Sequence, residues 1–407
     1  MKTVGIIAEY NPFHKGHAYQ IEQAKALTGA TYAVVLMSGN YVQRGTPAIT
    51  DKYTRTKMAL EAGADIVLEL PVYYATASAE LFSKGGISVL SSTHIIDTLS
   101  FGCETPDISL LTSLADFYCQ EPKEYKEALT NFLKQGYSFP AAREKATLFY
   151  HQTLGCSQKE LSEVQSILNN PNNILGLEYC KAIEQEGHPF SIMPVQRTNE
   201  YHGTTLTSHF VSASGLRQSY KEKQSFEKWE SYIPSASLSH LKAAEHRTFP
   251  LYEDDFSSLL YYKLLQTSDL DAYVDCTPDL AKKIKKNLPN FKNFSDFTEL
   301  LKSKDLVHTR ISRILLHILL DLKKDTFPTK VPYTRLLGLK KESSHLLKSV
   351  SEIPIITKVA DARKKLPPQA YALLEKEILC NDLYSHICQQ KFHTSIPSEF
   401  KQSPIIR

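Results

Sequence analysis

The chain opens on Thr3-Val4-Gly5-Ile6-Ile7-Ala8-Glu9-Tyr10-Asn11-Pro12-Phe13-His14-Lys15-Gly16-His17, and no other segment constrains the fold as tightly. An apolar run stops at an Asn-Pro turn, two histidines follow three residues apart around a glycine, and a helical pattern runs on from Ala18 through Leu27. This reads as a strand over residues 3–10, a tight loop, and a helix over 16–27. A helix N-terminus favours anions through its unpaired N–H groups and its dipole. Two imidazoles delivered to that terminus suit a polyphosphate better than a single carboxylate, and Gly16 lets backbone and phosphate approach closely.

The strand and helix periods alternate through the first half. Residues 32–37, 66–70 and 98–102 read as further strands and 52–62 and 77–90 as helices, with one more short strand at 191–195. A β-α-β-α order implies a parallel, doubly wound sheet whose ligands sit at the carboxyl ends of the strands, where the histidine loop lies. The polar stretch 221–237, which holds the single Trp and ends in a proline turn, marks a domain boundary. We therefore expect an α/β nucleotide-binding domain over 1–220 and a mainly helical domain over 221–407.

Further segments supply ligand-type donors at the same sheet edge. Met37-Ser38-Gly39-Asn40-Tyr41-Val42-Gln43-Arg44-Gly45-Thr46-Pro47 leaves the second strand as a glycine-bracketed polar loop, with Asn40, Gln43 and Arg44 as substrate-loop candidates. Ser100-Phe101-Gly102-Cys103-Glu104 ends the next strand, and Gly102 offers bare backbone to a nucleotide. Asn170-Pro171-Asn172-Asn173 starts a helix, so that one Asn caps it and its neighbour faces a ligand. Arg197 follows a strand, and Ser212, Ser214 and Arg217 stand at a helix start suited to phosphates.

Composition bounds the rest. The 407 residues are 42% hydrophobic and 22% charged, as in ordinary globular proteins, and no apolar stretch spans a bilayer or forms a secretory signal, which points to the cytoplasm. The seven cysteines are odd in number, scattered and free of CxxC pairs, as expected of reduced thiols rather than of disulfides or a metal site. Nothing points to a protein partner or a membrane. Charge is uneven: residues 281–407 hold 24 Lys/Arg against 12 Asp/Glu, whereas 1–220 hold 17 against 21. So basic a C-terminal third suggests a polyanionic partner. Residues 309–322 place Ile311, Ile314, Leu315, Ile318, Leu319 and Leu322 on one helix face and Arg310, Arg313 and His317 on the other. Lys282, Lys283, Lys285 and Lys286 form a second basic patch, and Arg363, Lys364 and Lys365 a third.

His14-Lys15-Gly16-His17 resembles the HxGH signature of the nucleotidyltransferase superfamily, with its Rossmann-like ATP-binding domain. NPFHKGH, SGNYVQRGTPA, FGCE, PNNILGLEY, the Arg197 segment and SASGLR together resemble, in that order and over essentially the whole chain, the bacterial tRNA(Met) cytidine acetate ligases. Two departures stand out: Ser214 and Leu216 occupy an SxTxIR-like helix start, and Cys103 stands where a small hydroxyl is expected. The resemblance implies that ATP and acetate give acetyl-adenylate and pyrophosphate, and that the acetyl group then moves to N4 of the wobble cytidine of elongator tRNA(Met). It implies His14 and His17 as catalytic groups and an ATP site from Ile7, Ala8, Glu9, Tyr10, Asn11, Pro12, Phe13, His14, Lys15, Gly16, His17, Ala18, Tyr19 and Gln20. Gly102, Asn172, Arg197, Ser212, Ser214 and Arg217 complete that site, and Mg²⁺ comes with the ATP. Lys282, Lys283, Arg310 and Arg313 are then the tRNA-facing candidates. Two other readings share the motif: an adenylyltransferase of cofactor biosynthesis, which needs no basic helical half, and a catalytically idle RNA-binding protein, which has no use for both histidines.

Overall fold

The computed structural model describes residues 2–197, 211–223, 225–304 and 306–407; Phe210, expected to open the SASGLR helix segment, lies outside them. β1 (Thr3–Ala8) leads into α1 (Lys15–Thr28), β2 (Tyr32–Ser38), a small hairpin of β3 (Tyr41–Val42) and β4 (Thr46–Pro47), and α2 (Lys52–Glu61). β5 (Ile66–Leu70), the one-turn α3 (Val72–Ala75), α4 (Ala79–Thr93) and β6 (Thr98–Cys103) follow. Next come α5 (Ile108–Gln120), α6 (Lys123–Lys134), α7 (Phe139–Thr153), α8 (Gln158–Asn169), α9 (Pro171–Gln185), β7 (Ser191–Gln196) and α10 (Ala213–Lys223). The remainder holds α11 (Ser235–Ala244), α12 (Ser257–Gln266), α13 (Pro278–Asn287), α14 (Phe294–Leu300), α15 (His308–Leu320), β8 (Thr334–Leu339), β9 (Ile355–Ile356), α16 (Ala362–Lys365), α17 (Pro368–Phe392) and β10 (Ile405–Ile406).

The sheet runs β10-β8-β5-β2-β1-β6-β7, with β9 beside β8. β1 pairs parallel with β2 and β6, as do β2 with β5 and β6 with β7. Because the chain winds outward from β1 through β2 and β5 and then returns to the other side of β1, a crevice opens between the carboxyl ends of β1 and β6. The pleat explains why these strands read as unbroken apolar runs. Val4, Ile6, Val35 and Val67 enter one core with the α1 and α2 residues Ile21 and Met58, while Ile7, Leu36 and Leu68 enter the other with the α4 residues Phe82 and Ile87. A sheet covered on both faces needs apolar side chains at successive positions.

The boundary expected at 220/221 falls inside a hydrophobic core. Trp229 is fully buried among Tyr220, Phe226 and Phe249, in the cluster that also holds Val4 and Ile6. The segment after 220 is packed, and it touches the start of α1 where the Lys15 N–H donates to the Tyr232 carbonyl at 2.8 Å. Nor is the C-terminal part confined to helices, since β8 pairs antiparallel with β5 and β10 extends the sheet beyond it. A buried charge network ties this edge together. Lys52 Nζ lies 2.8 Å from Glu69 and 3.2 Å from Glu399, and Arg335 of β8 bonds to Glu399 and stands 3.5 Å from Glu69. Among the described residues no helix is long and apolar enough to cross a membrane, and all seven cysteines are free.

Candidate active site

His14 caps α1 and His17 lies one turn into the helix. The Gly16 N–H donates to His14 Nδ1 at 3.0 Å, and the His14 N–H donates to His17 Nδ1 at 3.2 Å. The capping box thus uses both Nδ1 lone pairs, so each neutral ring carries its proton on Nε2 and presents an N–H donor. The rings stack with centroids 3.7 Å apart. Burial and the Arg197 guanidinium bring the His14 pKa down to about 3. His17 is likewise held well below the usual range by burial, His14 and Arg197. The pair donates hydrogen bonds as uncharged imidazoles.

A cavity of about 240 Å³ opens beside His17 in the crevice between β1 and β6. The predicted residues Ile7, Ala8, Glu9, Tyr10, Asn11, His17, Gln20, Gly102, Asn172 and Arg197 line it, joined by Gln43 and Arg44 from the β2 loop. Arg197 follows β7, with its N–H donating to the Cys103 carbonyl at 2.8 Å, and its side chain crosses Gly102, Cγ 3.4 Å from where a Cβ would stand. Asn172 donates to Glu104 Oε1 at 2.6 Å. Its neighbour Asn173 is the structural partner, buried and accepting from the Glu104 and Thr105 N–H groups at 2.8 and 3.0 Å. Asn170 sits at the N-cap with no side-chain capping bond. Cys103 is fully buried, with its thiol pushed up to about 12 by burial, and so fills the core as a protonated group.

Other predicted residues serve the site from outside the cavity. Phe13 and Pro12 are buried, and Phe13 packs edge-on to Tyr10. Lys15 turns away, its Nζ donating to the Ser231 carbonyl at 2.7 Å. Ser212 accepts from the Gly215 N–H at 3.1 Å and so caps α10, with Ser214 Oγ 3.5 Å away, and Arg217 donates to the Asn11 carbonyl at 2.5 Å, bracing the loop. Ala18 and Tyr19 follow His17 in α1, half-buried and outside the cavity lining.

Three expectations are corrected. Asn40 is buried away from this cavity, accepting from the Lys52 N–H and donating to Asn381, both at 2.9 Å, because the β2 loop folds back on α2 and α17. Arg313 and His317 do not lie on an exposed face. A second layer covers α15 there: Ser312 donates to the Gly45 carbonyl at 2.8 Å, Arg313 Nε stands 3.6 Å from Asp275, and His317 is fully buried between the Val274 and Thr76 carbonyls. Lys283 spends its ammonium on the Leu301 carbonyl at 2.6 Å, whereas Lys282 is exposed and Arg310 half-exposed.

Sequence reading missed the apolar wall of Phe82, Phe101, Leu175 and Tyr179. Its signal was present, since 171, 172, 175 and 179 share a face of α9. Arg55 was missed too. Fully buried on α2, it donates to the carbonyls of Glu9 at 2.7 Å and Ser38 at 3.0 Å, and also to Gly39, so that one guanidinium clamps the ends of β1 and β2.

A doubly wound sheet with stacked, neutral histidines at its switch point defines a nucleotidyltransferase of the HIGH class, and the family model described as HIGH Nucleotidyl Transferase matches residues 1–398. A tRNA(Met) cytidine acetate ligase from Thermoanaerobacter sp. (strain X514) is 38% identical over 394 residues, 95% of either chain, and one from Clostridium perfringens (strain ATCC 13124) is 35% identical over 414 residues, 100% of both. Thermotoga maritima TmcAL, crystallised with alpha-thio ATP, matches with a TM-score of 0.91 at 29% identity, over 100% of this chain and 99% of that one. The chain belongs to the tRNA(Met) cytidine acetate ligase family.

Proposed function

We propose that this protein activates acetate with ATP as acetyl-adenylate and transfers the acetyl group to N4 of the wobble cytidine of elongator tRNA(Met), in the cytoplasm. The observation that carries the reading is the convergence of His17, Arg44, Arg197 and Asn172 on one cavity at the β1/β6 crevice. Acetate is ionised at neutral pH, so its attack on the α-phosphate needs no general base. The step is governed by charge on the departing pyrophosphate, which preorganised donors stabilise. The Nε2–H groups of His14 and His17 and the guanidiniums of Arg44 and Arg197 are such donors. Mg²⁺ bound with the ATP would supply neutralisation of phosphate charge without calling on a dedicated set of side chains.

Acetyl transfer then requires the cytosine to leave its stack so that N4 reaches the acetyl carbon. The exposed cations Lys282, Arg363, Lys364 and Lys365, with half-exposed Arg310, would hold the tRNA backbone while the base enters. The test is incubation with labelled acetate, ATP and bulk tRNA, followed by nucleoside analysis. Label in N4-acetylcytidine of tRNA(Met) is the expected result. ATP–pyrophosphate exchange without any RNA product would instead favour an adenylyltransferase.

A further inference from the structure

We propose that Glu9 accepts the N4 proton of the cytosine during acetyl transfer, an inference that rests on the ligase reading above. A carboxylate is an adverse neighbour for a polyphosphate, yet Glu9 lines the cavity beside two arginines, Arg44 and Arg197. Its position is built. Arg55 holds its carbonyl, and its Oε1 accepts from the Gln43 N–H at 2.8 Å, so the carboxylate sits between the loops after β1 and β2. Oε2 has no hydrogen-bond partner among the described residues.

The other candidates for a base are already occupied. Both histidines have given their Nδ1 lone pairs to backbone N–H groups and carry protons on Nε2. Burial raises the pKa of the Tyr10 and Tyr179 hydroxyls, with Glu9 adding to the rise at Tyr179, so both stay protonated. Arg44 and Arg197 are cations. Glu9 is thus the one group on the cavity wall, among the described residues, with a basic lone pair to spare.

The chemistry calls for such a group. The N4 lone pair of cytosine is delocalised into the ring, and its proton becomes acidic only as the bond to carbon forms. In the proposed step N4 attacks the acetyl carbonyl carbon and the N–C bond forms. The C–O bond to phosphate breaks, AMP departs with that electron pair, and the N4 proton passes to Glu9 Oε2 and on to water. General-base assistance of this kind is typically worth about 10²–10⁴ in rate.

Glu9→Gln keeps the shape and leaves an amide oxygen to accept from the Gln43 N–H. Two measurements separate the half-reactions: acetate-dependent ATP–pyrophosphate exchange, and single-turnover transfer to tRNA from enzyme-bound acetyl-adenylate. We expect transfer to fall about 10²-fold or more, a loss at least about tenfold larger than any loss of exchange, and Glu9→Asp to recover part of the transfer rate. Transfer at the wild-type rate would assign the proton to the leaving phosphate and overturn the role, and equal loss of both half-reactions would make Glu9 part of the ATP site instead. A wild-type enzyme that forms no acetyl-adenylate would overturn the ligase reading, and this role with it, before any variant is compared.

Discussion

His14 and His17 stack face to face, 3.7 Å between centroids and 22° between ring planes, a separation at which two imidazolium ions would repel strongly. The stacking therefore excludes a doubly charged pair, and the capping bonds to both Nδ1 atoms, which must accept as lone pairs, keep each ring neutral and fix its tautomer. Because both folded pKa values lie below the unfolded value near 6.5, the unfolded chain takes up protons that the native state refuses. The pair's contribution to stability is intact above about pH 6.5 and is lost as pH falls toward about 3. NMR titration of the imidazole carbon-bound protons should show neither ring protonating between pH 8 and pH 5, roughly the range in which an ordinary histidine titrates. An inflection near 6.5 from either ring would contradict the neutral pair.

Replacing either histidine by alanine should lower acetyl-adenylate formation by about 10²–10³, the loss typical of a removed transition-state donor. The two variants differ in stability, since His14 is also the N-cap of α1. His14→Ala should cost about 1 kcal/mol of folding free energy and His17→Ala less. Exchange kinetics and denaturant melts on the same preparations check both halves of this prediction.

The adjacent asparagines should separate binding from folding. Asn172→Ala is expected to weaken binding of a non-hydrolysable ATP analogue with little change in melting temperature. Asn173→Ala leaves two backbone N–H groups without their acceptor in a buried site and should destabilise the fold by about 2–3 kcal/mol. Calorimetry and thermal melts reverse the assignment if Asn172 proves the destabilising one.

Among the basic residues, burial predicts which substitutions report on RNA. Lys282→Glu and Arg310→Glu should each reduce the slope of log affinity for tRNA against log salt by about one, with acetyl-adenylate formation intact. Arg313→Glu should unfold or aggregate the protein, because it sets a carboxylate beside Asp275 in a site only 16% exposed. A soluble Arg313→Glu variant with a reduced salt slope would return Arg313 to the RNA surface.

The residues that deliver the site were legible because they are local: a strand, its loop and the next helix fall within one run of sequence, and the doubly wound order then sets where the loops meet. Gln43, Arg44, Gly102 and Arg197 were expected at this sheet edge for that reason, and all four line the cavity. What escaped notice depends on contacts distant in sequence. Nothing around Asn40 announces Asn381, and the amphipathic face of 309–322 does not reveal that the Gly45 hairpin covers its other side. Thr334–Leu339 has the composition of a short strand, but without an adjoining strand–helix unit its place beside β5 cannot be read locally.

The antiparallel pairing of β5 with β8 spans more than two hundred and sixty residues of chain, and this has a bearing on biosynthesis. When the first strands of the sheet have left the ribosome, β5 still presents an open row of backbone donors and acceptors, with its own Glu69 and the neighbouring Lys52 lacking Arg335 and Glu399. Until residues 334–339 emerge, that edge is a template for intermolecular pairing. The nascent chain passes through a long interval in which its cavity-lining loops are already present in finished polypeptide while the sheet that carries them still needs shielding.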